Sequence, residues 1–295
     1  MKQPPAAAFL VVSALLSGCG GAPHPTQPED AILQRESDAG KLAFSMQRPS
    51  EAASQYTKAF REAQARDDAG AIGDYGYDLA VADLAANKPK DALAAARMTH
   101  IELANRSMAP FPALILAEAN ALYRLGYKAR ADSLAANVEG GTDPSAAAGA
   151  AFLRGLIADE SGNQAGVYTA LARLAHPANN AESADAFELA ARRDLALRMF
   201  ARAKSEADRA ADLRRTELDY RGMARALSVE AQAAADAGDR PTAAKLYIRA
   251  AQSAAAQDDA VAARYWLRQA LAQANTPMLR QVVHQTLADL ATKKD

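Results

Sequence analysis

Apolar and small side chains recur along this chain at the three- and four-residue spacing of helices, and the runs break at short polar turns. The pattern is clearest between residues 221 and 274. A first run, RGMARALSVEAQAAADA, stops at Gly238-Asp239-Arg240-Pro241, where Gly ends a helix and Pro opens the next. A second, TAAKLYIRAAQSAAA, stops at Gln257-Asp258-Asp259, and a third, AVAARYWLRQALAQA, stops before Asn275-Thr276-Pro277. Helix, tight turn and helix of similar length make an αα-hairpin. No alternating run bounded by turn residues is present, so no sheet is predicted.

The unit repeats. Small residues recur at Gly40, Ala80, Ala119, Gly155, Ala191 and Ala231. Twelve positions after each lies a second small-and-bulky face: Ala52-Tyr56-Ala59, Ala92-Ala96-Thr99, Ala131-Ala135-Val138, Val167-Leu171-Leu174, Ala203-Ala207-Ala210 and Ala243-Tyr247-Ala250. Small residues let two helices approach closely, and larger side chains fill the groove between neighbouring hairpins. Because alanine matches come easily in an Ala-rich chain, the turn residues are the better test. Seven positions after each small residue stand Gln47, Asn87, Gly126, Gly162, Arg198 and Gly238, four of them Asn or Gly. Pro49, Pro89 and Pro241 follow in three units, in the first turn of the second helix.

These residues resemble the tetratricopeptide repeat, in degenerate form, over roughly residues 29–292. The units are 36 to 40 residues apart, longer than the usual repeat of about 34. The resemblance implies an all-α fold, a right-handed solenoid of about seven helical hairpins. The unit around Arg198 is the weakest, and residues 182–213 read equally as one long helix or two. The frame is also open at Tyr247-Ile248-Arg249-Ala250, which closes one unit or opens another. Longer joints are expected at 106–112, 138–144 and 176–180. A last helix from about Pro277 carries Leu279, Val282, Val283, Thr286, Leu287 and Leu290 on one face, as the cap of a solenoid requires.

The N-terminus reads as an address. Lys2 precedes a short apolar run, residues 6–16, too short to span a bilayer. It leads into Leu16-Ser17-Gly18-Cys19, which resembles a bacterial lipobox at all four positions. The resemblance implies a signal peptide over 1–18, cleaved to leave a diacylated Cys19 as the lipid anchor. More than one acyl chain gives stable attachment. Gly20 after the cysteine, in place of Asp, implies export to the outer membrane. Residues 19–28, rich in Pro and Gly, read as a flexible tether that holds the solenoid, 29–295, off the periplasmic face of the membrane.

Composition narrows the function. Half of the residues are hydrophobic, but only 6% are aromatic, which suits close-packed helices. With 34 basic and 35 acidic residues the chain lacks the basic surface of a nucleic-acid binder. Cys19 is the only cysteine, so no intrachain disulfide forms. His24, His100, His176 and His284 have no second ligand at a metal-binding spacing, and no nucleophile elbow or phosphate loop is present. The acid pairs Asp67-Asp68, Asp159-Glu160 and Asp258-Asp259 fall at helix ends, where capping accounts for them. The charges between 182 and 225 read as a solvated, self-paired helix face, and Trp266 reads as a packing residue.

The expectation is therefore a non-catalytic adaptor, with no metal and no cofactor beyond the lipid on Cys19. Its partners would be an envelope protein or peptide segment and the membrane, not nucleic acid. An envelope enzyme on a helical scaffold and a cytoplasmic repeat protein with a signal-like N-terminus are the alternatives. Binding residues are expected on the concave surface lined by the first helix of each hairpin, where large and directional side chains carry most binding energy. Counting from the small residues, the inward candidates are Lys41, Tyr77, Asn120, Tyr123, Arg124 and Arg192.

Overall fold

The computed structural model describes residues 31–292, and all regular structure among them is helical. The segments expected to be a signal peptide (1–18) and a tether (19–28), with Cys19, lie outside the described residues. The first three hairpins are α1 (Ala31–Ser45) with α2 (Pro49–Ala65), α3 (Ala69–Ala85) with α4 (Pro89–Asn105), and α5 (Pro112–Arg124) with α6 (Lys128–Glu139). Then come α7 (Pro144–Glu160) with α8 (Gln164–Arg173), and α9 (Asn180–Ala196) with α10 (Phe200–Thr216). The last two are α11 (Tyr220–Asp236) with α12 (Arg240–Ala256), and α13 (Ala260–Gln273) with α14 (Pro277–Thr292). Residues 182–213 are thus two helices, and Tyr247 closes its hairpin, donating from its hydroxyl to Gln232 on α11 at 2.8 Å.

The turns explain why the helices stop. All six turn residues read from the sequence are left-handed: Gln47, Asn87 and Arg198 have φ of 59°, 60° and 59°, and Gly126, Gly162 and Gly238 have 85°, 71° and 85°. After each, the next amide donates to a carbonyl five residues back, as from Arg48 to Ala43 at 2.9 Å and from Met199 to Asp194 at 2.8 Å. This bond satisfies a carbonyl that the ending helix leaves without a partner. Asp67, Ser107, Leu218 and Asp258 repeat the geometry at joints between hairpins. The following helix is often capped at once: Asp68, Asp219, Asp239 and Asp259 accept from the amides of Ala71, Gly222, Thr242 and Ala262. Three helices without that cap start at Pro49, Pro89 and Pro112, since proline has no amide to orphan there.

The small residues do the work expected of them. A Cβ at Gly40 would stand 2.7 Å from the Tyr56 ring, and one at Gly155 would stand 2.5 Å from Leu189. Ala80, Ala119, Ala191 and Ala231 are fully buried. Each helix packs on the next, and α3, α5, α7, α9 and α11 also touch in succession. The first helices of the hairpins therefore form one continuous inner layer. The last helix buries Val283 and Leu290 and rests Leu279 and Leu287 on the core, whereas Val282 is exposed. Trp266 packs against the same core. None of the described helices is long and apolar enough to cross a membrane.

Candidate functional site

The inner layer curves until its two halves face one another around a cavity of about 1370 Å³. Its wall is built from the first helices of three hairpins, together with Arg249, Gln252, Ser253 and Ala256 on α12. Asn120, Tyr123 and Arg124 come from the C-terminal half of α5, Phe152, Leu153 and Leu156 from the middle of α7, and Arg221, Met223 and Arg225 from the N-terminal half of α11. The lining strip thus drifts along the helices from one hairpin to the next. The rim includes the α1–α2 turn, the end of α3, and the joints that lead into α11 and α13.

Behind the wall lies a buried ion network. Glu188 on α9 has no exposed surface. It accepts from Arg225 at 2.6 and 2.9 Å and from Arg192 at 3.1 Å, and Arg214 stands 3.6 Å away. Arg192 also pairs with Asp159 at 2.9 Å, and Arg214 with Asp185 and Asp219. The Phe152 ring carries the guanidinium of Arg214 at 5.4 Å and that of Arg225 at 5.2 Å. Burial by itself would raise the Glu188 carboxyl, but the arginines outweigh it and hold the group at about 2. Burial wins at Asp185, which is pushed up to about 7 despite Arg214. Burial would lower Arg225, and the Glu188 carboxylate overrides it and raises the group. This network corrects one expectation. The charges between 182 and 225 are self-paired, but Asp185, Glu188, Asp194 and Arg214 are buried, not solvated. The close stacking of α7, α9, α10 and α11 places their carboxylates and guanidiniums between helices, where water cannot replace the partner.

Nearer the surface, Tyr123 donates its hydroxyl to Glu160 at 2.6 Å, and its ionisation is pushed up by burial and by that carboxylate. Arg124 differs from Arg221 and Arg225 because its acceptors are neutral: the Leu84 carbonyl and the Asn87 side chain. Burial and then Arg221 lower it to about 10, with Asp259 opposing. Arg221 is itself paired with Asp259 at 2.7 Å. Most of the cavity's charge is therefore locked in place by the fold, which makes a rigid wall of apolar side chains and oriented guanidiniums.

Of the residues expected to bind, Asn120, Tyr123 and Arg124 line the cavity together, and Lys41, Tyr77 and Arg192 do not. Lys41 is exposed on α1. Tyr77 packs edge-on against Phe111, with ring centroids 5.7 Å apart. Arg192 lies behind the wall in the ion network. Phe152, Arg221, Met223 and Arg225 escaped the sequence count because it kept one register from repeat to repeat, while the curl of the layer shifts the lining strip by about half a helix. Of the acid pairs, Asp68 and Asp259 are caps, whereas Asp159 and Glu160 bind Arg192 and Tyr123. Among the described residues no group of His, Cys, Asp and Glu is placed to hold a metal ion.

No family model and no curated protein matches the sequence. Solved structures do resemble the fold. A signal-transduction ATPase with a tetratricopeptide repeat sensor from Pyrococcus horikoshii aligns with a TM-score of 0.51 at 13% identity over 88% of this chain and 44% of its own. This chain therefore spans less than half of that protein. A tetratricopeptide repeat protein from Parabacteroides merdae aligns at 0.47 with 14% identity, over 88% of this chain and all (100%) of its own. The TPR2AB domain of yeast Sti1, in a complex with an HSP90 peptide, aligns at 0.35 with 15% identity, over 82% of this chain and 98% of its own. The fold is a tetratricopeptide-like solenoid of helical hairpins.

Proposed function

We propose that this protein is a non-catalytic adaptor, held by a lipid on Cys19 at the periplasmic face of the outer membrane, that grips a segment of an envelope protein inside its solenoid. The observation that carries the reading is the cavity of about 1370 Å³, larger than the roughly 300–1,000 Å³ of small-molecule pockets. Its apolar side chains beside fixed hydrogen-bond donors suit a polypeptide, which offers both side chains and backbone acceptors. The lipobox at 16–19 and the Pro-rich tether support the location. The process served would be assembly, secretion or cell-wall synthesis.

The test has two parts. A photoreactive residue in place of Met223 should cross-link one envelope protein in intact cells, and the adduct should vanish when Tyr123, Arg124 and Arg225 are replaced together. Unchanged cross-linking in that variant would place the binding site elsewhere. Cys19→Ser should abolish acyl labelling and release the protein from the membrane fraction; persisting acylation would refute the anchor.

A further inference from the structure

Solenoids are held by contacts between neighbouring units. One hydrogen bond here departs from that rule. Asn87 Nδ2 donates to the carbonyl oxygen of Asp258 at 3.2 Å, across 171 residues of sequence. Both residues occupy left-handed turn positions, with φ of 60° and 56°. The α3–α4 turn therefore meets the joint between α12 and α13, and the curved layer closes on itself. None of the extensive helix–helix contacts joins α1–α4 to α11–α13. The other end of the same amide is also engaged. Asn87 Oδ1 accepts from Arg124 Nη2, while Arg124 Nη1 donates to the Leu84 carbonyl. Arg124, Leu84 and Asp258 all line the cavity. A chain of hydrogen bonds thus runs from the cavity wall to the point where the ring closes.

We propose that Arg124, Asn87 and Asp258 form a clasp at which the ring opens to admit an extended peptide from the side. Its purpose rests on the reading of the cavity as a peptide site; its geometry does not. A segment within a longer chain has no free end to thread, and an opening in the wall gives it a direct path to the inside of the ring. A single hydrogen bond between partly solvated groups favours closure by about two- to tenfold. That is weak enough to open at equilibrium and strong enough to set the rate of entry. Arg124 is the positioning residue. It holds the Asn87 amide with its nitrogen toward Asp258, and a bound peptide that competed for Arg124 would release the clasp.

The test needs no partner. In the full chain with Cys19→Ser, Met223→Cys places one thiol on the cavity wall. Its labelling is followed with a small methanethiosulfonate and with a maleimide carried on polyethylene glycol. Asn87→Asp tolerates the left-handed turn and still accepts from Arg124, but it cannot donate to Asp258. Asn87→Gly also keeps the turn and removes the amide. Both variants should speed the bulky reagent about two- to tenfold and leave the small one unchanged. Arg124→Gln should speed the bulky reagent in the same way. An unchanged bulky rate would overturn the clasp. So would equal acceleration of both reagents, which marks general loosening, or an effect confined to Asn87→Asp, which marks charge repulsion alone.

Discussion

Gly76 on α3 lies directly against Thr99 on α4, so close that a Cβ on residue 76 would stand 2.0 Å from the threonine hydroxyl oxygen. Thr99 is fully buried and its hydroxyl donates to the Ala95 carbonyl at 2.8 Å, so it has nowhere to move. Gly76→Ala should therefore destabilise the protein by about 1–3 kcal/mol, read from chemical denaturation. Thr99→Ala removes the two nearest obstructing atoms and leaves the Cβ, at 2.8 Å. Combined with Gly76→Ala it should recover part of the loss. Strict additivity of the two changes would mean that the residues do not meet.

Glu188 anchors three arginines without any contact to water. Glu188→Gln leaves those cations without their shared counter-charge. The expected loss is about 3–5 kcal/mol, visible as a large fall in melting temperature. A fall of only a degree or two would show that Asp159, Asp185 and Asp219 suffice to neutralise the arginines.

Glu230 on α11 is buried, its Oε2 has no hydrogen-bond partner, and its nearest cation is Lys204 at 4.0 Å. Burial and then Asp208 push its carboxyl from the ordinary 4.5 to about 7. Between those values the native state binds the proton that the unfolded chain has lost. Stability from this group is therefore greatest below the lower value, falls as pH rises, and is lowest above about 7. Asp185 acts in the same direction, and Glu188, held low, acts only in acid. Glu230→Gln should raise stability by about 1–3 kcal/mol above neutrality and change little near pH 4. An equal effect at both pH values would refute the assignment.

Arg198 holds φ at 59° in the α9–α10 turn, a conformation that costs an L side chain energy and glycine none. Three of the equivalent turns use Gly126, Gly162 and Gly238. Arg198→Gly should stabilise the protein by about 0.5–1 kcal/mol, with the greater freedom of glycine in the unfolded chain already subtracted. Gly162→Ala should shift the melting temperature the opposite way, and a neutral pair would show that the turns are not strained.

Removing residues 277–295 strips Val283 and Leu290 from the final core, along with the cover that Leu279 and Leu287 give it. The truncated chain should self-associate on light scattering, because a solenoid end without a polar outer face loses solubility. A monomer as heat-stable as the parent would show that α14 is not a cap.

Much of this architecture was legible in the residue pattern. The six turn positions from Gln47 to Gly238 are all left-handed, and the small residues from Gly40 to Ala231 all lie where helices meet. Turns and close approaches are local events, decided by a residue's own backbone freedom and by neighbours three or four positions away. Local chemistry is visible in local sequence. The same holds for Asp68 and Asp259, whose capping follows from their place before a helix.

The cavity belongs to tertiary structure alone. Nothing near Asn87 or Asp258 in sequence announces that they meet. Their contact is the sum of small rotations at each hairpin joint, and an error at any one joint would move it. The same accumulated rotation carries the lining strip from the end of α5 to the start of α11, so Tyr123 and Arg124 faced inward as counted while Arg192 fell behind the wall. Burial is likewise collective. The residues from Asp185 to Arg225 read as a solvated face, because each charge has an acceptable partner nearby. Only the stacking of α7 through α11 removes the water and turns ordinary ion pairs into a fixed internal network.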